Sequence, residues 1–191
     1  PLWSRGLGDV YKRQAYCWGA NAQGQLGDGT TQARSAPTAV TGGLSWSSIS
    51  TGSNGGCGLS TQSLAYCWGS NTGGRLGDPT IASGASVSTP NAVGGGRRWL
   101  QVSVGTSHSC GLGTDGSVFC WGAGADGRLG TGTTADSAEP TAVSGGRTWA
   151  TVTVGASSTC AISPDNDAYC WGANDSGQLG DASTITRLVP T

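Results

Sequence analysis

One sequence motif occurs four times in this chain, and the copies follow one another at a nearly constant spacing. Each copy opens with Tyr-Cys-Trp-Gly or Phe-Cys-Trp-Gly and ends in a Gly-x-Leu-Gly turn. The motif tryptophans are Trp18, Trp68, Trp121 and Trp171, which lie 50, 53 and 50 residues apart, and the motif leucines are Leu26, Leu76, Leu129 and Leu179. A period of this length is typical of propellers and solenoids, whose units bury their apolar faces against one another. We therefore expect these tryptophans and leucines to pack between neighbouring units.

The third copy shows how one unit divides into short β-strands. Residues 99–105 end in alternating apolar and polar residues, and residues 109–112 and 118–121 flank a tight turn. Residues 140–143 begin with a proline, which suits an edge strand because proline donates no hydrogen bond to the ladder. No segment has the apolar period of a helix. The sequence predicts an all-β fold, a partial β-propeller built from four-stranded antiparallel blades.

The turn between the second and third strands has a different sequence in each copy. A three-residue hairpin loop needs a left-handed backbone conformation at its last residue. Residues 114–116 and 164–166 end in glycine and asparagine, which tolerate that conformation. Residues 61–63 end in serine, so the sequence does not predict the backbone conformation of this turn.

The chain divides into a short head and a repeat region. Counting back one period from the second copy places Leu7 where a cysteine is expected and Leu2 where a glycine is expected. We interpret residues 1–14 as a non-native or artefactual head, with a divergent first repeat as the alternative. Residues 15–191 then hold the repeats, with units beginning near positions 15, 65, 118 and 168.

Seven cysteines follow the repeat. Six of them form three pairs with one spacing, each pair within a predicted hairpin: Cys57 with Cys67, Cys110 with Cys120, and Cys160 with Cys170. Facing residues of two adjacent strands lie close enough for a disulfide, so we predict these three bonds, with Cys17 unpaired. Buried free thiols and a metal site are the alternatives, although zinc sites use shorter spacings. Disulfides indicate an oxidising compartment, here an extracellular or cell-surface location in a bacterium.

Composition and charge narrow the function classes. The net charge is −1 and the arginines are scattered, so we expect no nucleic-acid partner. No apolar run is long enough for a membrane span. We expect no cofactor and no metal.

We interpret the single histidine, His108, as a surface or structural residue, because no nucleophile accompanies it. Three aspartates that follow the Leu-Gly of the turn, Asp28, Asp78 and Asp181, are interpreted as turn residues rather than calcium ligands.

The pattern Trp-x-x-Val-x-x-Gly, followed by Tyr-Cys-Trp-Gly-x-Asn-x-x-Gly-Gln-Leu-Gly and a proline, resembles the regulator of chromosome condensation repeat family. The resemblance covers residues 15–191 and is closest to secreted bacterial members with paired cysteines. It implies a seven-bladed propeller, of which this chain carries about half, as a fragment. We also expect Trp46, Trp99 and Trp149, one per unit, to be packing residues.

The best-known activity in this family is nucleotide exchange on the small GTPase Ran, which depends on a wedge that protrudes from the propeller. The loops here have nearly uniform lengths and contain no such wedge. The sequence therefore favours a non-enzymatic module that binds a protein or a glycan. The alternative is a regulator of a small GTPase that acts through elements in the missing blades. With a ring only half complete, Trp18, Leu26, Leu179 and Val189 are expected to be more exposed than their internal equivalents.

Overall fold

The computed structural model describes residues 13–191, and these residues form thirteen β-strands. The strands are β1 Tyr16–Gly19, β2 Arg34–Ala39, β3 Trp46–Gly52, β4 Gly55–Ser60, β5 Ala65–Ser70, β6 Ser86–Ala92, β7 Trp99–Val104, β8 His108–Gly113, β9 Val118–Gly122, β10 Ser137–Ala142, β11 Thr151–Val154, β12 Ser158–Ile162 and β13 Ala168–Gly172. Helical structure within the described range is limited to three single 3-10 turns, at Thr72–Gly74, Gly94–Gly96 and Ala125–Gly127. The all-β prediction is confirmed.

The strands group into four antiparallel sheets that follow one another along the chain. Sheet I contains β1 and β2, sheet II contains β3 to β6, sheet III contains β7 to β10, and sheet IV contains β11 to β13. Strand order equals chain order in sheets II and III, which is the meander of a propeller blade. In sheet IV the segment after β13 takes the fourth position, because Gly172 bridges Arg187 and Cys170 exchanges two backbone hydrogen bonds with Thr191. The architecture is a partial β-propeller of four-stranded blades.

The sequence repeat and the sheet differ in phase. The unit that begins at Ala65 contains β5 and β6 of sheet II and then β7 and β8 of sheet III. Each of the first three units therefore supplies the last two strands of one sheet and the first two strands of the next. The first unit supplies β1 and β2 of sheet I, which has two strands within the described residues, and β3 and β4 of sheet II. Neighbouring sheets are thus linked both by packing and by the covalent chain.

The proposed head falls mostly outside the described residues, which begin at Arg13. The Arg13 carbonyl accepts a backbone hydrogen bond from Trp46 at 2.9 Å, as the Ser63 carbonyl does from Trp99 at 2.8 Å. Gln14 donates its side-chain amide to the Val40 carbonyl at 2.8 Å. The backbone of Arg13 therefore follows the repeat geometry, and a boundary at residue 14 stays a prediction.

The innermost strands β3, β7 and β11 approach one another closely. A Cβ atom on Gly52 would overlap the carbonyl oxygen of Gly105, and one on Gly105 would overlap that of Gly155. The Ser50 hydroxyl also accepts a hydrogen bond from the Val104 amide, at 3.1 Å. The repeated glycine at the end of Trp-x-x-Val-x-x-Gly is thus required where backbones of neighbouring sheets meet.

The hairpin turn takes the same form in all three complete copies. Gly116 and Asn166 have φ angles of 80° and 68°, in the left-handed region that the sequence predicts. Ser63 adopts φ of 62° as well, although serine is not favoured there. The hairpin register therefore outweighs the local preference of one residue.

We expect Ser63→Gly to raise the free energy of unfolding by about 0.5–1 kcal/mol. The left-handed conformation costs an L-residue roughly 1–2 kcal/mol, and the greater flexibility of unfolded glycine offsets part of this gain. The matched control is Gly116→Ser, whose new Cβ would meet only ordinary contacts with Thr148 at 3.6 Å and should lower stability by a similar amount. Urea denaturation of both variants measures the difference. If Ser63→Gly is no more stable than the wild type, the prediction is wrong.

Candidate functional site

The surfaces where consecutive sheets meet, called here the I/II, II/III and III/IV seams, share one hydrogen bond. In each seam a tryptophan on the third strand of the later sheet donates its indole N–H to the carbonyl of the second residue in the preceding Gly-x-Leu-Gly turn. The pairs are Trp68 with Gln25 at 2.9 Å, Trp121 with Arg75 at 2.9 Å and Trp171 with Arg128 at 3.0 Å. These three tryptophans are fully buried. The repeat thus encodes a contact between neighbouring sheets.

The turn that receives the tryptophan is shaped by its leucine and its last glycine. Leu76 is buried with Trp121 in one apolar cluster. Gly77 has φ of 74°, and a Cβ atom there would lie 2.8 Å from the indole nitrogen of Trp121. Glycine is therefore needed both for the backbone conformation and for the close approach of the ring.

Trp18 and Leu26 both belong to the first copy of the motif but have different surroundings. Trp18 is 61% exposed, against 0% for its three equivalents, because the motif tryptophan faces the preceding sheet and no preceding turn lies within residues 13–191. Leu26 faces the following sheet and is only 4% exposed beneath Trp68. Trp18 is therefore more exposed than its internal equivalents, as expected, whereas Leu26 is buried much as Leu76 and Leu129 are. Trp18 does not pack between two sheets within residues 13–191.

At the other end of the described range the pattern is reversed. Trp171 is buried in the III/IV seam, whereas Leu179 is only partly buried and Val189 is exposed, as expected from the sequence. Leu179 faces forward, where Leu76 and Leu129 have the next sheet to cover them. In each seam, therefore, the motif leucine comes from the earlier sheet and the motif tryptophan from the later one.

The second set of tryptophans fills the centre of each seam. Trp46, Trp99 and Trp149 are buried, and each ring lies 5.7 to 6.1 Å from the motif tryptophan of its own sheet. Each also meets an aromatic ring edge-on, as Trp99 does with Phe119 at 5.8 Å. Such edge contacts favour a fixed ring orientation, in keeping with a packing role.

Disulfide bonds join the second and third strands of sheets II, III and IV. They are Cys57–Cys67, Cys110–Cys120 and Cys160–Cys170, with Cα–Cα distances of 4.0 to 4.1 Å. The bonded residues are direct partners in the strand register, at the closely spaced kind of antiparallel pair. Cys17 is the free cysteine among the described residues, and burial raises the pKa of its thiol.

A buried asparagine organises the loop before the Gly-x-Leu-Gly turn, a role that the sequence analysis did not assign. The Asn71 side-chain oxygen accepts a hydrogen bond from the Leu76 amide at 3.0 Å, and its nitrogen donates to the carbonyls of Ile81 and Ala82. Asn21 and Asn174 make the same bonds in their loops. The third copy has Gly124 there, where the Ala135 carbonyl leaves no space for a side chain. The constant spacing of five residues to the leucine is the signal in the sequence.

The aspartates after the turn act within their own loops. The Asp28 carboxylate accepts hydrogen bonds from the amide and hydroxyl of Thr30 and from Arg34 at 2.8 Å. Burial opposes ionisation of Asp28, but the bonds from Arg34, Thr30 and Asn21 outweigh it and lower its pKa to about 2. Asp181 has the same arrangement, with its pKa lowered to about 2 by Ser183 and Arg187. Within residues 13–191 no three or more His, Cys, Asp or Glu side chains are grouped to hold a metal ion.

His108 is buried in the III/IV seam. Its Nε2 lies 2.9 Å from the Thr159 hydroxyl of sheet IV, whereas its Nδ1 has no hydrogen-bond partner within the described structure. Burial and the nearby Arg128 lower the pKa of His108 to about 3. Of the two roles considered from the sequence, the structural one applies.

Two arginines occupy the second position of the turn where other copies have glutamine. Arg75 is buried in the II/III seam, with Nε donating to the Ser70 carbonyl at 2.6 Å and Nη1 to the Thr106 carbonyl at 2.7 Å. Arg128 bonds the Ser107 hydroxyl at 3.0 Å and pairs with Asp126 at 2.6 Å. In the two copies where the sequence has arginine instead of glutamine, a charged side chain is therefore buried in the seam.

A groove of about 390 Å³ runs beside β1. Tyr16 and Trp18 project from one face of β1 and are 55% and 61% exposed, and both line the groove with Ile49 and Thr51 of β3. Among the described residues β1 pairs only with β2, and its other edge has no partner strand within residues 13–191. An exposed aromatic pair beside such an edge is a surface suited to binding.

A model of the regulator of chromosome condensation (RCC1) repeat matches residues 14–59, 64–112 and 115–162, and a second model of the same description matches 99–128 and 149–178. The chain belongs to the RCC1 repeat family. Each longer match spans the last two strands of one sheet and the first two of the next, so the RCC1 repeat of this chain has the phase of the sequence unit.

Solved structures share the fold. Human WBSCR16 is 23% identical with a TM-score of 0.85 over 94% of this chain, and yeast RCC1 (Prp20) bound to Kap60 is 22% identical with a TM-score of 0.78 over 92%. The chain spans 48% and 43% of the length of those proteins. At these identities the likeness establishes the RCC1 propeller fold alone. No helix in the described part of the chain has the length and apolar character needed to cross a membrane.

Proposed function

We propose that this RCC1-repeat chain is a non-enzymatic module that binds a protein partner at the groove beside β1. The observation that carries the proposal is the exposure of Trp18, since its three equivalents are buried in seams. The repeated side chains inside the seams are committed to packing, so a partner has to use surfaces that the repeat does not fill. Tyr16 and Trp18 offer apolar area with polar ring atoms, a combination enriched in binding surfaces.

The edge of β1 that has no partner strand within residues 13–191 favours a protein partner over a glycan. An extended peptide can add its backbone hydrogen bonds to such an edge, while pockets for alternate side chains provide specificity. A glycan would use the Trp18 ring as a stacking surface and would leave the backbone groups of β1 without regular partners. We further propose an extracytoplasmic location, in a bacterium, because three disulfides are typical of an oxidising environment.

A peptide selection tests the proposal. The immobilised chain is panned against a displayed library of extended peptides, and affinities of the selected peptides are measured for Trp18→Ala. We expect binding to weaken about tenfold or more, because exposed aromatic anchors dominate such contacts. The matched control is Leu100→Ala on β7, a side chain that is 58% exposed but lies away from the groove, and it should change affinity less than about twofold.

Other outcomes of the same experiment distinguish the alternatives. Equal effects of the two variants, or no selected peptide, would contradict a protein site at β1. A glycan array on which wild type binds and Trp18→Ala does not would instead assign a glycan partner. Accelerated release of a fluorescent nucleotide from a small GTPase would favour the GTPase-regulator alternative, for which the likeness to yeast RCC1 is the motive.

A further inference from the structure

The third and fourth sheets meet around one histidine, and no other seam has a titratable imidazole. The chain contains a single histidine, and the equivalent positions are Gly55 in sheet II and Ser158 in sheet IV. His108 is 0% exposed, and its ring joins β8 of sheet III to Thr159 on β12 of sheet IV. The II/III seam, which has no imidazole, is therefore an internal comparison for the III/IV seam.

The hydrogen bonds around His108 define its tautomer. The Thr159 hydroxyl donates to the Arg128 carbonyl at 2.9 Å, so its oxygen must accept the hydrogen bond from His108 Nε2. Neutral His108 therefore has its hydrogen on Nε2 and a free lone pair on Nδ1. A proton arriving on Nδ1 would have no acceptor within the described structure. A buried donor left without a partner destabilises the arrangement that contains it.

The charged groups around this site oppose a second positive charge. From the turn of sheet III, Arg128 lies beside the imidazole and repels a proton. Arg75, in the turn of sheet II, is also buried, and its carbonyl accepts a hydrogen bond from the Ser109 hydroxyl of β8. Asp126 is the acid of this cluster, and its carboxylate is paired with Arg128. On β12 the contact is the uncharged Thr159, and on β9 the residue that faces His108 is the uncharged Gly122.

The same residues hold the seam together. The Arg128 carbonyl accepts hydrogen bonds from both Thr159 and Trp171 of sheet IV. Solvating His108 requires Thr159 to move away, which removes one of these bonds and loosens the other. We infer that the III/IV seam is an acid-sensitive joint, in which protonation of His108 separates sheet IV from sheet III while the other seams remain closed.

The expected size of the effect follows from proton linkage. In the opened seam His108 is hydrated and has the ordinary imidazole pKa of about 6.5, whereas in the closed seam it stays neutral. The part of the seam's stability that depends on neutral His108 is fully present above pH 6.5. It is lost as the pH falls toward the lower pKa that His108 has in the closed seam. The opening equilibrium should therefore rise about 30-fold between pH 7.5 and pH 5.0. The pKa values of Asp28, Asp78 and Asp181 are lowered, so these carboxylates do not contribute over this range.

Two measurements test the inference on the full chain. In NMR spectra of histidine-labelled protein, the single imidazole signal should stay neutral down to pH 4.5, and a midpoint near 6.5 would overturn the inference. Hydrogen-exchange protection factors, corrected for the intrinsic rate at each pH, should fall about 30-fold in β12 and β13 between pH 7.5 and 5.0. Those in β4 and β5 of sheet II should change less than about threefold.

The control variant is His108→Ser, which places the residue of sheet IV at the same position of sheet III. Its protection factors in β12 and β13 should lose the pH dependence, and His108→Asn provides a second variant without a titratable group. Wild-type protection that does not change with pH, variants that keep the full dependence, or an equal loss in sheets II and IV would each overturn the inference. The NMR titration uses wild type and does not depend on either variant folding.

Discussion

Replacing Trp121 with alanine is expected to lower the free energy of unfolding by about 3–5 kcal/mol. Trp121 is fully buried in the II/III seam, in one cluster with Leu76, Val102 and Trp99. Its removal leaves a large cavity and also removes the hydrogen bond from its indole nitrogen to the Arg75 carbonyl. Because the cavity is enclosed by two sheets, relaxation of the surrounding side chains recovers little of the loss.

Trp18 provides the matched control, since it occupies the same motif position outside any described seam. Trp18→Ala should lower the free energy of unfolding by less than about 1 kcal/mol, in the range of exposed substitutions. Trp121→Phe separates the two contributions, because it retains most of the ring but loses the N–H donor. Urea denaturation gives all three values, and a cost below about 1 kcal/mol for Trp121→Ala would show that the seam is not tightly packed.

Removing the Cys110–Cys120 disulfide by changing both cysteines to alanine should lower the free energy of unfolding by about 2–4 kcal/mol. The bond closes a loop with a sequence separation of 10 residues and restricts the unfolded chain. Both cysteines are also fully buried, so the alanines forfeit some packing. Reduction of the wild-type protein should lower its stability in the same direction, because it breaks all three bonds.

Cys17→Ala is the control for cysteine chemistry, since Cys17 is not bonded within the described structure. Its effect should be about 1 kcal/mol or less, the value for a small side chain. Alkylation of denatured but unreduced protein should add one label, at Cys17, and alkylation after reduction should add seven, one for each cysteine. Seven labels without reduction would contradict the disulfides and would remove the argument for an oxidising compartment.

Much of the fold could be predicted from the sequence because the relevant interactions are local or repeated. The hairpin around Gly116 fixes the register within a few residues, and this register places Cys110 opposite Cys120. The period of the tryptophans predicts sheets that pack on one another, because one unit has too little apolar surface to fold alone. The signal of the Asn71 network was present in the sequence, but its role depends on how the following loop folds back onto it.

The sequence by itself determined the all-β repeat architecture, the hairpin registers and the cysteine pairing, since short separations along the chain decide each of them. Only the tertiary structure decided that the motif tryptophan faces backward and the leucine forward, so that Trp18 is exposed and Leu26 buried. It also decided that His108 lies in a seam with Nδ1 unpartnered. These properties depend on which neighbouring sheet covers a side chain and on which hydrogen-bond partners and apolar contacts that sheet provides. Residues far apart in the chain supply that surface, and the period alone does not specify it.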